Sequence, residues 1–265
     1  NPSEAALRRT AANLRYWQES GPAAVIAVCA NESTCDPLEH QLALQGAAVP
    51  ILAADTADLS ALVAIALPSV ETDVTIVADE SLAPVGHRTA GLLAAYLAHP
   101  GVTLAGPRVL TAWGLLEDGP HVLTDGRLVA VGRGSDPNAA GYFGELALPH
   151  RVAALNTSCM AAPTGWLKEQ LRILGGIDGV HHFVLHASAQ ATGEGEPVVW
   201  VPTTTVRRRP RHSDPSAATG PDAAVIRRMT PTEDRSDIDP AATLNRALDV
   251  VTGDYVLRSP RSHGP

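Results

Sequence analysis

DVTIVADESLAP, residues 73–84, sets a run of β-branched and apolar side chains, Val74, Thr75, Ile76 and Val77, directly before two carboxylates, Asp79 and Glu80, and the hydroxyl of Ser81. Such a run reads as a strand buried on both faces, and in open α/β sheets ligands gather where the strands end. Two oxygen donors at that end suit a hard divalent ion, Mg²⁺ or Mn²⁺, held against a diphosphate. Acids and serine are equally favoured as caps of a following helix. Both readings stand at this point, a metal pair or a cap.

Outward from this stretch the chain alternates. Residues 3–19 carry Ala6, Leu7, Ala11, Leu14 and Trp17 at helical spacing behind Ser3 as a cap. Residues 23–30 read as a buried strand ending in Asn31, Glu32 and Ser33, polar groups that can touch a ligand or turn the chain. A helix over 37–45 leads to a strand over 49–54 that ends at Asp55. Helix, strand, helix and strand follow over 59–67, 74–77, 87–98 and 102–105. Strands and helices alternating through short connections predict an α/β fold, a mostly parallel central sheet with flanking helices.

Beyond Gly106 the alternation breaks. Residues 121–123 and 128–131 flank Asp125 and Gly126 as a hairpin. A strand is expected within 153–160, a helix over 165–174, a helix or strand over 180–185, and an apolar strand over 197–201. Basic residues followed by Pro, Ser, Ala and Gly mark 206–221 as a flexible linker. The tail, 222–265, contains a strand-like 223–228 and a helix over 239–251 with Asp239 as cap and Pro240 at its first position. The expected organisation is one domain over 1–205, the linker, and a tail that either packs back on the sheet or begins a second, truncated copy.

The 265 residues suffice for a sizeable core, which must be aliphatic because aromatics make up only 4%. A net charge of −8 argues against nucleic acid, whose backbone is held mainly by basic surfaces. Cys29, Cys35 and Cys159 form no C-x-x-C motif and fit a reducing cytoplasm. No run approaches the roughly 18–20 apolar residues of a membrane span, and the opening NPSEAALRRT lacks a signal-peptide core, so a soluble domain is expected.

Taken in order, AVIAVCANES, ILAADT, VTIVADESLAP, HPGVTLAGPRVL, GYFGELALPHRVAALNTSCMAAP, GGIDG and VVWVP resemble the successive motifs of family-2 glycosyltransferases of the GT-A type, especially their rhamnosyltransferase-like branch. The resemblance covers about residues 20–205. It implies transfer of a sugar from a nucleotide diphosphate donor to a carbohydrate or lipid-linked acceptor. Asp79 and Glu80 would hold the divalent metal, and Asn31, Glu32 and Asp55 would line the nucleotide pocket.

The chain departs from that pattern where the family carries its acidic base. HHFVLH, residues 181–186, stands in place of the acidic cluster, with residues 184–186 over the expected acids, which leaves His186 or Asp178 to take the acceptor proton. Thr203 occupies a position where the family often has a metal-contacting His, and the best TGDYV match falls late, at 252–256. Two functions therefore follow from the resemblance: an active transferase with a rearranged base, or a catalytically inactive domain that serves as a binding or assembly module for a protein partner.

Overall fold

The computed structural model describes residues 2–21, 24–56, 58–124, 127–155, 158–174 and 179–209. The chain divides between Thr230 and Pro231 into two units, and the described residues all lie in the first. The expected tail and all but the first four residues of the expected linker fall outside the described residues, as does Asp178.

The amino-terminal third follows its local signals. Helix α1 (Glu4–Glu19) starts at Ser3, whose hydroxyl accepts from the Ala6 amide. Strand β1 (Ala27–Cys29) pairs in parallel with β2 (Ile51–Ala53) across helix α2 (Cys35–Leu44). Leu7 and Ala11 of α1 pack with Leu38 and Leu42 of α2 and with Ala27 and Cys29 of β1 in one apolar cluster. Helix α3 (Leu59–Ala66) is capped by Asp58, whose carboxylate accepts from the Ser60 amide at 2.9 Å.

Strand β3 (Val74–Ala78) is followed at once by β4 (Leu82–Pro84), and then by helix α4 (Thr89–Leu97) and β5 (Leu104–Leu110). β6 (Leu116–Asp118) folds back on β5, and β7 (His121–Thr124) with β8 (Arg127–Ala130) makes the expected hairpin. β9 (His150–Arg151), β10 (Cys159–Pro163), α5 (Thr164–Gln170), α6 (Gly179–Gly193) and β11 (Val198–Arg208) complete the described chain. The undecided segment over 180–185 is thus helical. The boundary expected after residue 205 falls inside β11.

The architecture is a mixed α/β fold with helices on both faces of a central sheet. That sheet runs β3-β10-β5-β11-β4, with β6 added beside β5 and β9 beside β11. The expectation of a mostly parallel sheet is corrected here: among the described residues only β5 and β11 are parallel within the central sheet, and its other pairs are antiparallel. Parallel neighbours need a long crossover. The alternation supplies one between β1 and β2, whereas after β3 the chain turns directly into β4.

Side chains alternate between two apolar layers, as a strand period of two requires. Leu104, Met160, Ala162, Val198 and Trp200 face the cluster built by α3, α5 and α6. Ala105, Ala161, Val199 and Val201 face Leu93 of α4 on the opposite side.

Two buried thiols give this core a pH limit. Burial pushes Cys29 up from 9.0 to about 12, helped by the hydrogen bond and charge of Cys35, and burial raises Cys159 further still. The folded protein keeps protons that the unfolded chain releases. The stability linked to them is complete below the unfolded value near 9.0 and falls as pH rises above it. Chemical denaturation at a series of pH values should show a loss of about 1.4 kcal/mol per thiol per pH unit once above that value. A flat profile to pH ~11 would refute it.

Candidate functional site

Among the described residues β3 pairs with β10 alone in the central sheet, and β1 pairs with β2 in a separate two-stranded sheet. Between these two strands lies a cavity of about 380 Å³, lined on one side by Val25, Ile26 and Val28 and on the other by residues 74–78. That volume falls in the range of small-ligand sites. α1, α3 and α4 contribute further, mostly apolar, lining, and Asp79, Glu80 and Asn13 are polar residues at its wall.

The acids sit on a tightly held turn rather than a helix cap. Asp79 accepts from the Ser81 amide at 2.9 Å and from the Ser81 hydroxyl, a local bond that turns the chain from β3 into β4. Asp79 also donates its amide to the Ser158 carbonyl at 3.0 Å, and Arg209 donates its amide to the Ser81 carbonyl at 2.8 Å. From α1, the buried Asn13 donates to the Glu80 carbonyl at 2.8 Å and Trp17 to the Leu82 carbonyl at 3.1 Å. The helix expected directly after Ser81 is replaced by β4, so the cap reading fails.

Arg208, at the end of β11, organises the charges around this turn. Its Nε is 2.7 and 2.8 Å from the two carboxylate oxygens of Glu117 on β6. Its terminal nitrogens donate to the hydroxyls of Ser81 and Ser158, each at 2.6 Å, and one lies 3.4 Å from Asp79. Burial opposes the charged guanidinium, but the hydrogen bond and charge of Glu117, then the charges of Asp79 and Glu80, outweigh it and raise its proton affinity. Glu117, Asp79 and Glu80 thus all act on the one guanidinium of Arg208.

Asp79 and Glu80 fit part of what a divalent ion needs. Mg²⁺ commonly takes only one or two protein carboxylates and completes its shell with phosphate oxygens and water. Among the described residues no group of three or more His, Cys, Asp or Glu is arranged to hold a metal by itself.

The other residues singled out by the sequence are distributed differently. Asn31 caps the short 3₁₀ turn Glu32–Thr34, accepting from the Ser33 amide at 2.9 Å, which is the turn role its position suggested. Glu32 and Asp55 are exposed, and they lie beyond the carboxyl ends of β1 and β2, whose last residues are paired. Asn31, Glu32 and Asp55 thus share one edge of the small sheet but do not line the cavity. His186 lies on α6, flanked by the buried Val184, Leu185 and Ala187, and is absent from the cavity wall. Thr203 is exposed where the pairing of β11 with β5 shifts register.

Arg208 was not singled out because RRR at 207–209 reads by composition as the start of a linker, and nothing in sequence ties Glu117 or Ser158 to it. The signal that extends the strand to Arg208 is the alternation of Thr204 and Val206, which are buried, with the more exposed Thr205 and Arg207.

No family model matches the chain, and no curated protein matches it. Among solved structures, a crystal structure of GalNAc-T7 with UDP, GalNAc and Mn²⁺ aligns with a TM-score of 0.48 and 14% identity, over 74% of this chain. The aligned part spans 39% of that protein's chain. Among the described residues no helix is long and apolar enough to cross a membrane.

Proposed function

We propose that the domain is a GT-A-like glycosyltransferase that moves a sugar from a nucleotide diphosphate donor to an acceptor hydroxyl on a carbohydrate or lipid-linked substrate. The observation that carries this reading is the placement of Asp79 and Glu80 directly after β3, at the wall of a cavity of ligand size. Asn31, Glu32 and Asp55, grouped beyond β1 and β2, would contact the nucleotide. A divalent ion held by Asp79 and Glu80 would neutralise the leaving diphosphate. The rhamnosyltransferase-like branch rests on sequence resemblance alone.

A second reading, an inactive domain that binds a ligand or a protein partner, is favoured by two observations. Asp79 is already engaged by Ser81 and Arg208, and His186, offered with Asp178 as the base, does not line the cavity.

Calorimetric titration with UDP, dTDP and GDP, each with and without Mn²⁺, tests the donor site. The expected result is metal-dependent binding of one nucleotide. Absence of binding in every arm would reject the transferase reading in favour of the binding module.

A further inference from the structure

We propose that residues 223–228 of this chain, AAVIRR, which lie outside the described residues, insert as a strand between β1 and β3 and join the two sheets. The cavity between those strands has the walls of a strand position. Residues 74–78 line it consecutively. Successive side chains of a strand point to opposite faces, so a space that meets all five runs along the edge of β3 rather than over one face. Val25, Ile26 and Val28 bound it from the side of β1. Leu59 and Val63 of α3 cover it from one face of the sheet, and Ala90 of α4 from the other. Among the described residues no ladder joins β1 to β3, so each turns an edge without a strand partner toward this space. Backbone groups facing an apolar space are costly, and one inserted strand satisfies both edges.

The chain itself supplies the occupant. β11 ends at Arg208, and Arg209 donates its amide to the Ser81 carbonyl at 2.8 Å. The Arg209 guanidinium lies 5.1 Å from the centre of the Tyr16 ring on α1. The chain therefore leaves β11 beside the cavity wall that holds Asp79 and Glu80. Thirteen residues, 210–222, separate this point from Ala223. Extended, they reach about 43 Å, well over the roughly 17 Å of a five-residue strand, so the chain can pass to the far end and enter parallel to β3. In that direction Ala223, Ala224, Val225 and Ile226 lie between the apolar walls, and Arg227 and Arg228 emerge at the end where Asp79 and Glu80 stand. The strand fills the apolar length of the cavity and leaves those acids at its carboxyl end, so the insertion does not depend on the sugar-transfer reading.

Hydrogen exchange of the full wild-type chain, followed by mass spectrometry of its peptides, tests the insertion. Residues 223–228 should exchange at least about 100-fold more slowly than a free peptide of that sequence, and 74–78 should be protected on the edge away from β10 as well as on the edge toward it. Ile226→Asp, which puts a charge into the apolar seam, should speed exchange roughly tenfold or more in 223–228, 25–29 and 74–78 together, while Ile226→Val keeps the wild-type pattern. Free-peptide exchange of 223–228 in the wild type overturns the proposal whatever the variants do. So does protection that Ile226→Asp releases without any change in β1 and β3, because the segment then packs elsewhere. Protection that disappears when a wild-type dimer is diluted to monomer, as read by light scattering, identifies a second copy as the source and overturns insertion within one chain.

Discussion

Arg208→Met lowers the midpoint of thermal unfolding by roughly 6–12 °C, from a loss of about 3 kcal/mol. The side chains of Arg208, Asp79 and Glu117 are each no more than about a quarter exposed, so the substitution removes the counter-charge of partly desolvated carboxylates. It also strips the hydroxyls of Ser81 and Ser158 of a charged donor. The cost exceeds that of an exposed pair such as Arg8 with Glu4, where solvent screens both charges. Arg208→Lys keeps the charge but cannot reproduce a fork that meets Glu117, Ser81 and Ser158 together, and should fall between. Combining Arg208→Met with Glu117→Gln should cost less than the sum of the two single changes, because the second removes a charge that the first left unpaired. Differential scanning calorimetry of the parent and the four variants decides it. An unchanged midpoint in Arg208→Met would show that the network adds nothing to stability.

Replacing both acids, Asp79→Asn with Glu80→Gln, weakens Mn²⁺-dependent nucleotide binding on the order of 100-fold, because the ion loses both of its proposed carboxylate ligands. Glu80→Gln by itself separates binding from folding. Glu80 is exposed and acts on Arg208 by its charge after Glu117 and Asp79, so the melting midpoint should fall less than in Asp79→Asn. Asp79→Asn retains an oxygen to accept from Ser81 but loses its attraction to Arg208. Part of its effect should therefore appear as lower stability. Nucleotide titrations paired with melting curves check both. Full binding by the double variant would remove these residues from the site.

The strand over residues 74–77, the strands before Asn31 and Asp55, the Ser3 cap and the hairpin around residues 125–126 were all legible in the sequence. Each depends on neighbours within a few positions: an apolar run, a cap hydroxyl, a turn-forming pair. The presence of acids at the end of β3 was legible for the same reason.

What those acids touch was not legible. Arg208 reaches Glu117 and Asp79 across separations of 91 and 129 residues, and a basic triplet in sequence carries no sign of the carboxylates that will surround it. Strand direction was also decided at long range. A period of two is the same in either orientation, so only the direct turn from β3 into β4 and the pairing of β10 between β3 and β5 made the central sheet mixed. The 180–185 segment was settled as helix by packing, since Phe183, Val184 and Ala187 fill the layer beneath Trp200 and Met160. The sequence by itself determined which elements form and where carboxylates cap the strands, because those choices are local. The tertiary structure decided which edges pair, which cavity the acids border and which cation holds them, because burial and charge pairing act between residues that only folding brings together.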